Sequence, residues 1–536
     1  MPCIYDVLII GSGGAGLSAA IEAKKYSKNV AVVSKTYPTA SQTCQAQGGI
    51  NAVLDTQNTN DSIQSHIDDT IKAANKLGDE KAIRFMCENA KETIQWLDDI
   101  GVPFSRNKNN GIAQRNFGGA SFARTCYSSD YTGLKILHTL YDTCIQNDIK
   151  FFNEYLILSF IKDNETIKGV IVLNIASGKI EQIFAQSIII ASGGYAAIFN
   201  QFTTNSTATT GEILSIASEI GCTLENMEFI QFHPTSLKHS KILISESARG
   251  EGGYLVDQDG KRFIDELKPR DEVSRAIYTK IQNGESVYLD LRHLGKEKIL
   301  ETMPQEYHLA YQFTGVSLEK DLLEVTPAAH YTMGGIKVNR ETQTNIKNLF
   351  ACGECASSLV HGANRLGGNS LLEIITFGKI AGKNASLSAN QSTVFDTSLY
   401  TNELENEEKK IKNIYALSNV LNFQTLKKTL GKLLFDSIGL FREEKKLTML
   451  LKTLQGYKND LEKMGITDKS KVYNTELKEF IEFTHILNLS LTIVKSALHR
   501  KESRGAHFRS DFLETNIKYQ ISTLFTQENE ILMVKI

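Results

Sequence analysis

Within its first 34 residues the chain writes out a strand, a glycine-rich turn, a helix and a second strand, and no other feature limits its fold so strongly. The segment IYDVLII, residues 4–10, is continuously apolar from Val7 onward, as a strand buried on both faces of a parallel sheet must be. It runs into GSGGAG, where Gly11, Gly13 and Gly16 give the GxGxxG spacing with Gly14 and Ala15 between them. LSAAIEAKKYSKN then continues with helical periodicity, and VAVVS supplies a second strand at 30–34. In such a unit the glycines permit a tight turn and bring a pyrophosphate up to the helix N-terminus, whose free N–H groups and dipole favour negative charge. The expectation is an α/β dinucleotide-binding fold; a purely structural glycine turn is the plain alternative.

The identity of the dinucleotide is less direct. The second strand ends in Ser34 and Lys35, where an Asp or Glu ordinarily holds a ribose hydroxyl, and Lys35 is compatible with a 2'-phosphate. Two further buried strands ending in glycine appear much later, in SIIIASGGY at 187–195 and NLFACGECA at 348–356. A dinucleotide fold with large insertions between its strands is more typical of FAD sites, while the NAD(P) reading stays open.

Five basic side chains stand in glycine-rich or proline-marked sequence that reads as loops: His233 in FHPTS, Arg249 in ESARGEGG, Arg270 in KPRD, His330 in AAHYTMGG and Arg365 in HGANRLGG. Together they read as an anion-binding pocket, on backbone able to approach a ligand closely. The pocket is local, because 59 Lys and Arg against 61 Asp and Glu leave no global field for nucleic acid. A length of 536 residues allows two to four domains. Eight irregularly spaced cysteines, from Cys3 to Cys355, suit reduced thiols in a cytoplasmic enzyme. Cys352 and Cys355 form a CxxC that no second pair completes, and it is read as structural. No apolar run reaches the ~18 to 20 residues that span a bilayer, and no export signal opens the chain, so a soluble, unexported protein is expected.

The motifs converge on one family. In order along almost the whole chain, GSGGAG, SKTYPTASQTCQAQGGINA, RNFGGASFART, ASGGY, EFIQFHPTS, SESARGEGG, KPRDEVSRAI, TPAAHYTMGGI, GECASSLVHGANRLGGNSLLE and RKESRGAHFR resemble the flavoprotein subunits of succinate dehydrogenase and fumarate reductase, a superfamily that includes L-aspartate oxidase. The resemblance implies an α/β architecture: a split Rossmann-like FAD-binding domain at 1–233 and 345–395, an inserted α+β capping domain at 234–344, and a C-terminal domain at 396–536. The last reads as helical, since EEKKIKNIYALSNVL, TLKKTLGKLLFDSIGL and FTHILNLSLTIVKSALHRKES carry apolar residues near a 3.6 period. The polar stretch STVFDTSLYTNELENEEKK marks the boundary. For FAD the resemblance implies contacts from Gly11, Gly13, Gly14, Ala15, Gly16, Ser34, Lys35, Thr39, Ser41, Gln42, Thr43, Gln47, Gly48 and Gly49. Farther along it adds Ala191, Ser192, Gly193, Glu212, Glu354, Arg365, Ser370 and Leu371.

Fumarate and succinate are dianions with a carboxylate at each end, so their site needs cationic or hydrogen-bonding groups a four-carbon chain apart. By similarity, His330 and Arg365 bind one carboxylate and His233 and Ser245 contact the other, Arg365 offering a bidentate fork. Fumarate reduction also requires a proton donor, which in this family is the arginine matching Arg270, resupplied through residues matching Glu246 and Arg249. An arginine, with a pKa above about 12, can serve only where a cationic cluster stabilises the developing anion and Glu246 promptly returns the proton.

Two positions discriminate within the superfamily. Phe117 is aromatic where aspartate oxidases carry an acid for the substrate ammonium, which favours succinate or fumarate. Gln42 stands in SQT where membrane-bound respiratory enzymes read SHT and link FAD through the histidine, so noncovalent FAD and a bias toward fumarate reduction are expected. Aspartate oxidases also hold FAD noncovalently, which keeps that alternative alive, as is a catalytically lapsed flavin module. The chain lacks the clustered cysteines of an iron-sulfur centre. The resemblance implies an iron-sulfur subunit and, through it, a membrane quinone anchor, placing the protein peripherally on the inner face of the cytoplasmic membrane.

Overall fold

The run Val7–Ile10 of β1 (Ile4–Ile10) has no polar side chain, and each of its four residues is buried, because it lies between two parallel neighbours and two covered faces. In the computed structural model, which describes residues 4–56, 60–392, 395–526 and 530–535, β1 pairs with β2 (Val30–Ser34) on one edge and with the strand Ile180–Ile190 on the other. Cys3, and Thr393 and Val394 of the expected linker, lie outside the described residues. The strand Ile180–Ile190 serves two partners on its far edge. Its first half pairs antiparallel with Thr166–Asn174, and its last three residues pair in parallel with Leu349–Ala351. The two late glycine-terminated segments thus join the first strand in one sheet of seven strands.

Alternation along the strands divides the core. Val7, Ile9, Val30 and Val32 face a cluster with α1 (Gly14–Lys24) and the helix Asn369–Asn390. Leu8, Ile10, Ala31 and Val33 face a cluster that includes Leu434, Phe483 and Leu487 of the C-terminal helices. The two helices on the first face pack backbone to backbone. A Cβ on Gly382 would lie 2.2 Å from the Ala19 carbonyl oxygen, and one on Gly378 would lie 2.6 Å from that of Ala15.

An antiparallel sheet in the order Ile230–Leu237, Leu323–Thr332, Val287–Asp290 and Tyr254–Asp257 forms the cap, with its own core around Leu255, Val273, Ile277 and Leu289. Its last strand in sequence ends at Thr332, and Gly335–Lys337 already pairs with Leu224–Glu225 in another sheet. The tail holds the helices Thr401–Ala416, Phe423–Ile438, Glu444–Asn459 and Thr475–His499, and then a hairpin, Ser522–Phe525 with Ile531–Val534, that extends the sheet of Leu224–Glu225. Among the described residues, no helix is long and apolar enough to cross a membrane.

The arginines of RKESRGAHFR are buried and paired, as a charge out of water must be. Arg500 reaches Glu228 at 2.6 Å and Glu502 at 3.1 Å, and the Ala506 N–H donates to the Ala363 carbonyl at 3.0 Å. This ties the tail to the segment that carries Arg365.

Gly382→Ala is expected to force the two packed helices apart and to destabilise the protein by about 1–3 kcal/mol. Gly456→Ala, where an added Cβ meets nothing within 4 Å, is expected to be neutral or slightly stabilising. Parallel urea unfolding curves check the contrast.

Candidate active site

The glycine turn opens onto a long cleft that runs from the strand ends of the sheet to the cap. Gly11, at φ +109°, has room for no side chain: a Cβ there would sit 2.2 Å from the Ala191 carbonyl oxygen. This draws the carboxyl ends of two strands together beside the N-terminus of α1. Gly16 would meet the Gly11 carbonyl at 2.0 Å, so it seats the helix on the turn and does not line the cleft. Gly13 is open, its nearest neighbour being the Thr43 hydroxyl, which accepts the Gly14 N–H at 3.0 Å.

Ser34, Ser41, Gln42, Thr43, Gln47, Gly48, Gly49, Ala191, Ser192, Gly193, Glu212, Glu354, Ser370 and Leu371 all line this cleft. Thr39 does not: it is exposed on the short 3₁₀ turn Pro38–Ala40, where its carbonyl accepts from the Cys44 thiol at 3.0 Å. Lys35 lines the cleft but its charge is already countered, with Glu212 at 2.6 Å and Glu482 at 2.9 Å. Among the described residues no uncommitted cation lines the cleft there for a 2'-phosphate. The Gln42 amide oxygen accepts the Ser206 N–H at 2.7 Å. Ser41 Oγ, Gln47 Oε1 and Ser192 Oγ are buried without a hydrogen-bond partner among the described residues. Together with the open helix N-terminus they fit an extended, polar, pyrophosphate-bearing cofactor such as FAD. Glu354 accepts from the Thr332 N–H at 2.9 Å, and burial pushes its carboxyl up to about 7 against the opposing Thr332 bonds and Arg365. Tyr155 and Ile157 close the far end of the cleft, a contribution that no motif announced.

At the cap end the basic residues converge, though mostly not from loops. His233 and His330 stand on adjacent antiparallel strands, with ring centroids 4.9 Å apart. Pro234 is accommodated because the pairing register shifts between His233 and Ser236, where no ladder N–H is needed. Arg270 opens the helix Arg270–Gln282 behind Pro269, and Arg249 lies on the short helix Glu246–Gly250. Only Arg365 comes from irregular backbone. His330 Nδ1 sits 2.7 Å from the Thr204 hydroxyl and His233 Nδ1 lies 2.9 Å from the Thr235 carbonyl, leaving each Nε2 for the cleft. Burial pushes both imidazoles well below the usual histidine range, and Arg270 pushes them further. Arg365 stacks on the Tyr331 ring at 4.3 Å, and burial with Arg270 nearby lowers it to about 10.

Gln231 organises the two guanidiniums. Its amide oxygen accepts from Arg270 at 3.1 Å and from Arg365 at 3.2 Å, while its amide nitrogen donates to the Asn364 side chain and the Arg365 carbonyl, each at 2.8 Å. It precedes His233 by two positions on the same strand, so period-2 alternation was the signal that could have found it.

Glu246 is 2 % exposed and bonds both the Nε, at 2.8 Å, and the Nη2 of Arg270. Its other oxygen accepts the Gly118 N–H at 3.1 Å and lies 3.7 Å from Arg249. Burial alone would raise this carboxyl, yet the guanidiniums of Arg270 and Arg249 outweigh it and hold it below the usual range. The approach requires glycine on two sides, because a Cβ on Gly118 or Gly367 would lie 2.3 or 2.6 Å from a Glu246 oxygen. Ser245 caps this helix by accepting the Ser247 N–H at 3.2 Å, and it lines the cleft. Phe117 is buried against Gly48 and Gly367. Arg249 stands behind the cleft wall, with burial lowering its guanidinium.

Comparison with known proteins agrees with this geometry. An FAD binding domain family matches residues 6–371, and the family described as fumarate reductase flavoprotein C-term matches 427–535. The 8-methylmenaquinol:fumarate reductase flavoprotein subunit of Wolinella succinogenes is 39% identical over 531 residues, 95% of this chain and 86% of its own length. The succinate dehydrogenase flavoprotein subunit of Rickettsia bellii is 36% identical over 550 residues, 96% of this chain and 91% of its own. A solved quinol-fumarate reductase with menaquinol superposes with a TM-score of 0.95 at 34% identity, covering 100% of this chain and 99% of that one.

Gln231→Leu removes the shared acceptor, and dicarboxylate affinity is expected to weaken about 10-fold, the scale of a charge-assisted hydrogen bond. FAD content should not change. Titration with malonate, followed by flavin absorbance, reads both.

Proposed function

The chain belongs to the family of fumarate reductase and succinate dehydrogenase flavoprotein subunits, and from that premise we propose that it interconverts fumarate and succinate beside a noncovalent FAD, running more readily toward succinate. The observation that carries this reading is the Glu246 carboxylate held between Arg270 and Arg249 at the wall of a cleft that also presents His233, His330 and Arg365.

FAD, when bound, supplies the hydride chemistry; the chain's own residues bind, orient and protonate. Arg365 and His330 take one carboxylate, and His233 and Ser245 take the other. A dianion relieves the repulsion among these crowded cations, so binding favours protonated imidazoles and strong, charge-assisted contacts. Arg270 holds a proton at the wall facing the substrate and gives it to the carbon next to the one reduced. Negative charge developing there is stabilised by the same cations. Glu246, bonded to two nitrogens of Arg270, restores the proton, and Arg249 restores Glu246.

Phe117 offers no countercharge for an ammonium group, which favours a plain dicarboxylate over L-aspartate. Gln42 has no ring nitrogen for a flavin bond, and noncovalent attachment with a lower flavin potential follows. Electrons then come from outside the chain, through an iron-sulfur subunit and a membrane quinone anchor that would hold the protein on the inner face of the cytoplasmic membrane. Relatives named as subunits of quinol-linked reductases support that assignment.

Arg270→Lys is expected to retain FAD and lose about 10²–10⁴-fold of fumarate reduction by a reduced viologen dye, the range of general acid catalysis. Unchanged turnover would remove Arg270 as the acid, and faster turnover of L-aspartate than of either dicarboxylate would remove the substrate assignment. Acid precipitation of the wild-type protein should leave the yellow colour in the supernatant; colour in the pellet would contradict the reading of Gln42.

A further inference from the structure

The end of β2, where a dinucleotide fold ordinarily carries the acid that holds a ribose, has Ser34 and Lys35 instead. The structure brings two acids to that place from elsewhere. Lys35 Nζ lies 2.6 Å from Glu212 Oε1 and 2.9 Å from Glu482 Oε1, and it donates to the Thr210 hydroxyl at 3.1 Å. All three of its N–H groups are therefore committed. Thr210 in turn donates to the second Glu212 oxygen. Glu212 lines the cleft at the first position of the helix Glu212–Glu219, beside N-terminal N–H groups that favour a carboxylate. Glu482 is buried, does not line the cleft, and stands on the tail helix Thr475–His499. That helix also fixes the start of the helix bearing Glu212. A Cβ on Gly211 would lie 2.5 Å from a Leu489 methyl carbon, and His485 Nδ1 is 3.0 Å from the Ser215 hydroxyl.

We propose that Glu482 is a positioning residue for the adenosine end of FAD: by holding Lys35 it aims the Glu212 carboxylate at the ribose hydroxyls, so the C-terminal domain completes the cofactor site. This rests on FAD lying in the cleft and not on the chemistry at its other end. One ammonium between two buried carboxylates cannot neutralise both. Lys35 is shared with Glu482, which Lys478 also approaches at 3.5 Å, and Glu212 therefore keeps negative charge for the ribose O–H groups to meet. Without Glu482 the ammonium loses one of its three partners, and Glu212 is drawn into a simple ion pair. The same arrangement disfavours a 2'-phosphate, which would face two carboxylates around a cation already spent.

The test uses the full-length protein produced without flavin, and calorimetry with ADP and its dideoxy analogue. The two ligands carry the same charge, and the second lacks both ribose hydroxyls. The wild type should bind ADP about 10-fold or more tightly than the analogue, the scale of hydrogen bonds to a charged group. Glu482→Gln should reduce that preference to about 2-fold or less. Glu482→Asp, whose carboxylate stops short of Lys35, should keep part of it, and Glu479→Gln on the same helix should keep all. In a Lys35→Gln background, Glu482→Gln should change the preference no further, because the carboxylate acts through Lys35. An unchanged preference in Glu482→Gln and Glu482→Asp would overturn the proposal. So would an equal weakening of both ligands with the preference intact, which would make Glu482 a strut for the fold. A wild type that bound the two ligands alike would remove the ribose from Glu212, and the proposal with it, while leaving the role of Arg270 untouched. A wild type that bound neither would overturn the FAD site itself.

Discussion

A carboxylate with almost no solvent contact is stable only where cations surround it, and Glu246 has one on each side. Taking a single charge out of water costs several kcal/mol, which pairing recovers only when the geometry is good and the remaining lone pairs are used. Arg270 supplies two donors and the Gly118 N–H a third, with Arg249 completing the neutralisation. Removing any of these strands a buried charge, so the motifs around Glu246 are mutually dependent. Gly118 and Gly367, from segments far apart in sequence, are glycine because a Cβ at either would collide with its carboxylate.

The same desolvation shapes the substrate side with the opposite sign. Arg270 and Arg365 share one acceptor on Gln231, and burial together with the Arg270 guanidinium makes the positive charge of Arg365 less favourable. The imidazoles of His233 and His330 respond by shedding theirs. A cluster like this is incomplete electrostatically until an anion enters, and a dianion satisfies it best. The cap is tied to that balance. The Asn364 amide donates to Asp271 in the first turn of the cap helix at 2.8 Å, and Arg275 one turn later donates to the Gly505 carbonyl at 3.0 Å. The helix that presents Arg270 and the segment that presents Arg365 are thus held together, and they answer to the tail as well.

Much of this was legible in sequence where chemistry and spacing coincide. The turn after β1 announced its strand, helix and anion-binding end because Gly16 packs on the Gly11 carbonyl close by in sequence, whereas the contact that requires glycine at Gly11, with Ala191, comes from far along the chain. The helical tail was legible from periodicity, but its closing hairpin was not, since Ser522–Phe525 owes its structure to pairing with Leu224–Glu225, more than half the chain away. The basic residues were found by type, while their backbone was misread. Pro234 and the glycines after Arg249 and His330 suggest loops, yet a register shift absorbs the proline and strand pairing places His233 beside His330. Thr39 matched a motif position but faces solvent, and Gln231 was missed because its only signal is its place two residues before His233 on one strand.

Arginine as an acid is the least expected element of the proposed mechanism, and the buried cations around it bear on that role. In water a guanidinium holds its proton too tightly to give it up on the timescale of turnover. In the cleft wall, desolvation and the neighbouring cation disfavour the charged form, and Arg249 and Arg365 are both lowered for that reason. Packing such cations out of water would destabilise the resting site if Glu246 were absent. The carboxylate therefore does two things that cannot be separated. It makes a crowded cationic site tolerable before substrate arrives, and in the proposed mechanism it stands ready, on two nitrogens of Arg270, to return the proton that the substrate removes.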